Sequence, residues 1–158
     1  MIRVTLNNEG DTERFARALA SWVRGGLVIG LQGDLGAGKT TFTRYLVGAL
    51  GGDVRAVASP TYTLQHEYPV RDSLTVEHWD LYRLKTVPAE LEERTPRSVV
   101  RLIEWPERCP EVSDALSVTL VFTLGGAGES SPDARSVEVL GPQAADLVSA
   151  LPKELLAV

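Results

Sequence analysis

The stretch GDLGAGKTTFTRYL, residues 33–46, places glycines around a lysine and two threonines and then continues with helical apolar spacing. Gly33, Gly38, Lys39 and Thr40 satisfy the pattern G-x-x-x-x-G-K-[ST]. In this pattern the glycines let the chain curl so that backbone N–H groups point at phosphate oxygens. The lysine reaches the β- and γ-phosphates, and the hydroxyl that follows it ligates Mg²⁺. The stretch therefore predicts a loop that holds a nucleotide phosphate tail.

A loop of this kind needs an acidic side chain to complete the metal site, and two residues qualify. Glu104 ends the apolar run in VVRLIEW (99–105), and Asp80 follows the apolar run in HWDLYRL (78–84). In α/β sheets, ligand groups lie at the carboxyl ends of the strands, where both residues are expected. Spacing alone does not rank the two.

Hydrophobic periodicity predicts the elements that position these residues. LVIGL (27–31) is a short apolar run typical of a strand buried on both faces, and it leads directly into the glycine loop. Further strands are predicted at 2–6, 74–79 and 98–103. Four helices are predicted: one capped by Asp11, one directly after the glycine loop, one beginning at Pro88 and one at 144–151. Residues 116–124 and 137–139 are predicted to form a hairpin around a loop at 125–134. Residues 1–158 thus form one α/β domain with a mixed, mainly parallel sheet and a late antiparallel hairpin.

Composition narrows the class of protein. The chain has 158 residues, 44% hydrophobic and 23% charged, which is ordinary for one globular domain. Its net charge of −5 argues against a large nucleic-acid footprint. Cys109 is the single cysteine, which fits a reducing compartment, and no run approaches membrane-spanning length. We therefore expect a cytoplasmic protein without a membrane partner.

Four stretches in this order resemble the TsaE family, also called YjeE, which comprises small bacterial ATPases required for the threonylcarbamoyladenosine modification of tRNA. They are GDLGAGKTTFTRYL, ASPTYTLQHEY (58–68), HWDLYRL and IEWPER (103–108). The similarity runs from about Thr12 to the end of the late hairpin. The combination of SPTYTL, DLYRL and EWP is far more specific than the phosphate loop, which many unrelated NTPases share.

The resemblance implies a P-loop NTPase-like fold, ATP and Mg²⁺ as cofactors, and a role for each matching residue. Thr40 and Glu104 match the two Mg²⁺ ligands, so the resemblance ranks Glu104 ahead of Asp80 for the metal. Lys39 and Asp80 match residues that serve hydrolysis. Ser59 to Leu64 match a segment compared to a GTPase switch, which we expect to sense the γ-phosphate; the alternative interpretation is an edge strand with Tyr62 packed on the sheet. The residues that match the ATP-phosphate loop are Gly36, Ala37, Gly38, Lys39, Thr40 and Thr41.

The resemblance also implies partners and marks one departure from the family pattern. The family's proposed partners are TsaD and TsaB, which transfer the threonylcarbamoyl group to adenosine while TsaE hydrolyses ATP to keep that pair cycling; tRNA is engaged only indirectly. Family members usually carry a glycine and then an acidic-tyrosine pair before the EWP strand. Here ELEERTPRSVVRLIEW is shortened and lacks both.

Several other residues have simpler interpretations from sequence. His66 and His78 lack metal-ligand spacing and are interpreted as ordinary polar positions. Cys109 has no activating neighbour and is interpreted as inert. Arg135 is interpreted as a solvated charge at the end of a strand, with an approach to the nucleobase as the alternative. Trp105 follows Glu104 and either packs near the nucleotide or is buried in the rim of the sheet.

Two other functions remain open from the residues alone: a small-molecule kinase and a nucleotide switch that does not hydrolyse. A kinase needs an acceptor-binding lobe with a lid, and no clear lid segment is present. Fast hydrolysis also needs a positioned water and usually an arginine finger, worth about 10³–10⁵ in rate. Since no residue can be assigned as that finger, we expect slow hydrolysis by the isolated chain.

Overall fold

A computed structural model describes residues 2–57, 65–84, 86–125 and 132–157. The predicted switch segment, Ser59 to Leu64, lies outside the described residues. Within them, no helix combines the length and the apolar character needed to cross a membrane.

The described residues alternate between strands and helices as far as the second helix, and the third and fourth strands then form an antiparallel pair. The strands are β1 (Ile2–Leu6), β2 (Val28–Gln32), β3 (Gln65–Pro69), β4 (Thr75–Asp80), β5 (Val99–Glu104), β6 (Val118–Leu124) and β7 (Arg135–Leu140). The helices are α1 (Glu9–Trp22), α2 (Lys39–Ala49), α3 (Ala89–Glu92) and α4 (Ala144–Val148). Short 3-10 turns join β5 to β6, at Pro106–Arg108 and Pro110–Ala115.

The described strands make one mixed sheet in the order β1-β7-β6-β2-β5-β4-β3. The four central strands β6, β2, β5 and β4 run parallel, whereas β1, β7 and β3 pair antiparallel at the two sides. The predicted fold class is confirmed, including the antiparallel hairpin of β6 and β7. Because the central strands are parallel, the carboxyl ends of β2, β4 and β5 meet at one edge of the sheet.

Alternation along the strands divides the core between the two faces of the sheet. Ile29 and Leu31 belong to the larger cluster, which also takes in the buried faces of α1 and α2. There the rings of Phe15 on α1 and Phe42 on α2 lie 5.4 Å apart. Val28 points the other way, into a smaller cluster with residues of α3 and the 3-10 turns. The helix that follows the glycine loop is thereby fixed against the sheet.

Three local predictions are corrected by the structure. Asn8, not Asp11, caps α1: its Oδ1 accepts from the Asp11 N–H at 2.9 Å, while Asp11 Oδ2 accepts from the Asn7 N–H at 3.0 Å. Asp11 lies three positions after the cap residue and accepts from the residue that precedes the cap. Pro88 precedes α3 as its cap instead of beginning it, and α4 ends before Leu151. Strand β3 was not predicted.

Candidate functional site

The glycine loop connects the end of β2 to the start of α2, as the sequence predicts. Gly38 caps α2 in the left-handed region, with φ 110°, and its carbonyl accepts from the Phe42 N–H at 2.9 Å. Gly33 has φ 143°, and a Cβ there would lie 2.7 Å from the Phe122 carbonyl oxygen. Both positions therefore require glycine, for backbone conformation and for close approach. The loop leaves the N-terminus of α2 open toward the carboxyl edge of the sheet.

Lys39 folds back across the loop and is almost completely buried, with 5% of its surface exposed. Its Nζ donates to the Gly33 carbonyl oxygen at 2.5 Å and lies 3.9 Å from Glu104 Oε1. The same Nζ sits 4.0 Å from the centre of the Trp105 ring. The ammonium is thus held at the mouth of the loop, between a carbonyl, a carboxylate and an aromatic face.

Burial lowers the pKa of Lys39 below its ordinary value, because desolvation disfavours the charged form. Carboxylates act in the opposite direction, Glu104 most strongly and then Asp80. The charge on Lys39 is therefore only partly compensated by the protein. A phosphate group in the loop would supply further negative charge beside it.

Both acidic candidates lie at this edge of the sheet, as the sequence predicted. Glu104 ends β5 and Asp80 ends β4, and the two residues are direct partners in the parallel pairing of these strands. Glu104 also pairs with Leu31 of β2, which leads into the loop. The structure therefore brings both acidic candidates to one place, within the field of Lys39.

Asp80 differs from Glu104 in its surroundings. Its Oδ1 accepts from the Tyr82 N–H at 2.9 Å, which fixes the carboxylate at the turn after β4. Burial raises the pKa of Asp80; the Tyr82 N–H opposes this shift, and the charge of Glu104 adds to it. A carboxylate with a raised pKa beside a lysine is typical of sites that move protons.

The interpretation of His78 as an ordinary polar position is wrong. Its side chain is completely buried, and Nε2 lies 2.6 Å from Glu104 Oε2. On the other side of the ring, Nδ1 lies 3.2 Å from the Tyr68 hydroxyl. The signal was present in the sequence, since Val76, His78 and Asp80 fall on one face of β4 by the two-residue period. A histidine flanked in this way by apolar and acidic residues points inward.

Arg135 and Trp105 are also placed by the structure. Arg135 is the first residue of β7, as predicted, and is half-buried. Its Nε is buried and would lie 3.6 Å from a Cβ added at Gly38. One of its terminal nitrogens lies 3.4 Å from the Gly36 carbonyl oxygen. Trp105 is half-buried beside Lys39, which favours the first of its two interpretations. Both side chains frame the glycine loop.

The donor set around the loop fits a magnesium ion. His78 takes one oxygen of Glu104, and the other, Oε1, faces Lys39 and the loop. Thr40 follows Lys39 in the first turn of α2 and is half-buried, as is Thr41. A carboxylate oxygen and a hydroxyl are ligands that Mg²⁺ prefers, with phosphate oxygens and water completing its shell. Gly36 and Ala37 lie in the loop itself, where the Ala37 N–H donates to the Asp34 carbonyl oxygen at 3.0 Å.

The parallel core, the glycine loop before α2 and the buried lysine define the class of P-loop NTPase-like domains. A family model described as threonylcarbamoyl adenosine biosynthesis protein TsaE matches residues 6–129. The chain therefore belongs to the TsaE family.

Individual relatives agree with this assignment. The chain is 39% identical over 108 residues to the tRNA threonylcarbamoyladenosine biosynthesis protein TsaE of Rickettsia conorii, covering 65% of this chain but only 60% of that protein. It is 36% identical over 128 residues to the protein of the same name from Bacillus subtilis, covering 79% of this chain and 78% of that protein. The crystal structure of YdiB from Bacillus subtilis superimposes with a TM-score of 0.67 and 26% identity, covering 94% of both chains.

Proposed function

We propose that this chain is a Mg²⁺-dependent ATPase that serves the threonylcarbamoyladenosine modification of tRNA in the cytoplasm. The observation that carries the proposal is the position of Lys39, buried between the Gly33 carbonyl and Glu104 at the start of α2. A buried, partly compensated ammonium in a glycine loop is suited to bind the β- and γ-phosphates of a nucleotide. Membership in the TsaE family supplies the biological process.

Each residue of the site has a defined part in this proposal. The backbone N–H groups from Gly36 to Thr41 surround the phosphates, and Lys39 neutralises the charge that builds on the transferred group. Thr40 and Glu104 hold Mg²⁺, which when bound stabilises the developing negative charge on the phosphate oxygens. Asp80 orients the attacking water and accepts its proton, consistent with its raised pKa.

The proposed partners are TsaD and TsaB, with tRNA engaged only through them. Apolar and aromatic side chains at the nucleotide edge support a protein partner there. Leu35, within the glycine loop, is 79% exposed. Tyr82 is 42% exposed and packs 4.9 Å from the Trp105 ring. Aromatic residues such as Tyr82 and Trp105 are enriched at protein interfaces.

Phosphate release is the decisive measurement for this proposal. It is measured with the isolated chain, then with candidate small-molecule acceptors, and then with TsaD and TsaB. We expect slow release alone and a clear increase with the two proteins, with Lys39→Ala as the inactive control. Phosphorylation of an acceptor would instead identify a kinase, and nucleotide binding without release under every condition would identify a non-hydrolysing switch. A pull-down of TsaD and TsaB from cells tests the partners separately.

A further inference from the structure

A chain of buried polar groups crosses three strands behind the proposed metal site. It begins at Tyr68 on β3, passes through His78 on β4 and ends at Glu104 on β5. The Tyr68 hydroxyl lies 3.2 Å from His78 Nδ1, and His78 Nε2 lies 2.6 Å from Glu104 Oε2. All three residues are buried, at 2%, 0% and 3% exposure. The proposed function assigns a role only to Glu104.

The contacts determine where the ring proton lies. Oε1 of Glu104 lies 3.9 Å from Lys39 Nζ, so it is Oε2 that is in contact with His78. The short contact to Oε2 therefore requires a donor, so the proton is on Nε2 of His78. When Nε2 carries the only ring proton, Nδ1 is an acceptor, and the Tyr68 hydroxyl at 3.2 Å is placed to donate to it. Each polar atom along this line has a partner that matches its role.

The contact with His78 fixes the orientation of the Glu104 carboxylate. A carboxylate at the end of a strand can rotate about its side-chain bonds, and it would then present its oxygens in several directions. The bond from His78 removes this freedom: with Oε2 occupied, Oε1 faces the glycine loop. Partners behind the ligating groups commonly fix a metal site in this way, and their loss typically costs about 10–100-fold in metal affinity.

We propose that His78 is a positioning residue that holds the Glu104 carboxylate toward the glycine loop, and that Tyr68 keeps the ring proton on Nε2. The inference rests on the proposed function in so far as Glu104 is taken to be a Mg²⁺ ligand. His78 itself does not touch the nucleotide or the metal. Its effect is on how strongly Mg²⁺ improves nucleotide binding.

The first experiment reads the hydrogen bond without any nucleotide. The chain contains two histidines, so ¹⁵N-histidine labelling gives two rings, and His66→Gln assigns them. We expect the ring of His78 to carry its proton on Nε2, with a proton resonance far downfield, as a contact of 2.6 Å implies. A proton found on Nδ1 alone overturns the proposal, because Glu104 would then have no donor.

The second experiment measures the gain in ADP affinity that Mg²⁺ provides, by calorimetric titration in Mg²⁺ and in EDTA. We expect His78→Leu to reduce this gain about 10-fold while leaving the affinity in EDTA nearly unchanged. His78→Gln keeps an amide donor near the position of Nε2 and should retain most of the gain. Tyr68→Phe should lose part of it. His66→Gln is the matched control, since His66 pairs with His78 across the strands, and it should change nothing.

The outcomes separate this inference from the proposed function. If Mg²⁺ improves ADP affinity equally in the parent protein and in His78→Leu, only the positioning role of His78 is overturned. Absence of any gain in the parent protein overturns the metal role of Glu104 and this inference with it. If His78→Leu does not fold, the comparison of His78→Gln with Tyr68→Phe decides. The proposal expects a smaller loss for His78→Gln, because glutamine keeps a donor to Glu104, than for Tyr68→Phe, which removes the partner of Nδ1. Equal losses in the two variants contradict it. Rescue by glutamine with partial loss in Tyr68→Phe supports it.

Discussion

The amino and carboxyl edges of the parallel strands both have charged residues and a cavity, but they differ in the size of the cavity and in how far the charged residues are buried. At the amino edge, a cavity of about 800 Å³ lies beside the starts of β2, β5 and β6, lined among others by Arg24, Arg97 and Asp114. At the carboxyl edge, a smaller cavity of about 380 Å³ lies between Gly33 and Trp105. The larger space is therefore on the side away from the glycine loop.

The charged residues that line the cavity at the amino edge are exposed, whereas the glycine loop at the carboxyl edge has buried ones beside it. Arg97 and Asp114 are exposed, so water solvates their charges and attraction between such groups is worth little. Lys39 and Glu104 are buried, within a line of contacts that extends to His78. Buried charges are retained only where specific partners hold them, and they act strongly on a ligand because water does not screen them. Cavity volume favours the amino edge, whereas the burial of charged groups favours the carboxyl edge as the candidate site.

The largest expected effect comes from Lys39→Ala. This change removes the buried ammonium from the carboxyl edge, while the backbone of the loop remains. We expect Mg-ATP affinity to fall roughly 100-fold, the loss of one or two charge-assisted hydrogen bonds to phosphate. Calorimetric titration measures it, and circular dichroism checks that the variant is folded. Unchanged affinity would remove the basis for treating this edge as a phosphate site.

Asp80→Ala should affect turnover more than binding. Asp80 is proposed to act on the water and not on the phosphates, and loss of such a group typically reduces rate by about 10²–10⁴-fold. Single-turnover hydrolysis in the presence of TsaD and TsaB measures the rate, with ATP affinity determined in parallel. Asp80→Asn is the matched control for size, and it should be equally slow. Normal turnover in both variants would place the base elsewhere.

Glu104→Ala should also reduce hydrolysis while sparing binding, because the loop still holds the phosphates after Mg²⁺ loses a carboxylate ligand. We expect a partial rescue at high Mg²⁺ concentration, which Asp80→Ala should not show. The measurement is the Mg²⁺ dependence of phosphate release in the assembled complex. Identical Mg²⁺ dependence in the two variants would contradict the separate roles given to these neighbouring carboxylates.

The smallest expected effect is that of Arg97→Ala, at the amino edge. Arg97 is exposed and lines the larger cavity, far from the loop along the strands. We expect ATP affinity and phosphate release to stay within about twofold of the parent, as exposed ion pairs contribute little. A large loss of either quantity would show that the amino edge takes part in nucleotide chemistry, and the contrast between the edges would have to be abandoned.

Local patterns in the sequence determined the glycine loop, the strand and helix on either side of it, and the strand ends that carry the two carboxylates. The order of residues from Gly33 to Thr40 fixes a loop that only a strand before and a helix after can support, and both were predicted from periodicity. Glu104 and Asp80 were placed at strand ends because apolar runs stop beside them. These inferences succeed because backbone conformation, helix period and strand period act over a few residues.

The tertiary structure decided which side chains from distant parts of the chain contact one another. The cap of α1 depended on which of two nearby polar residues, Asn8 or Asp11, faced the free N–H groups, and both residue types can cap. The partners of His78 lie 10 and 26 positions away along the chain, on strands β3 and β5. Arg135 reaches the glycine loop from a strand 99 positions beyond it. Contacts of this kind follow from the order and register of strands in the sheet, which sequence periodicity does not encode.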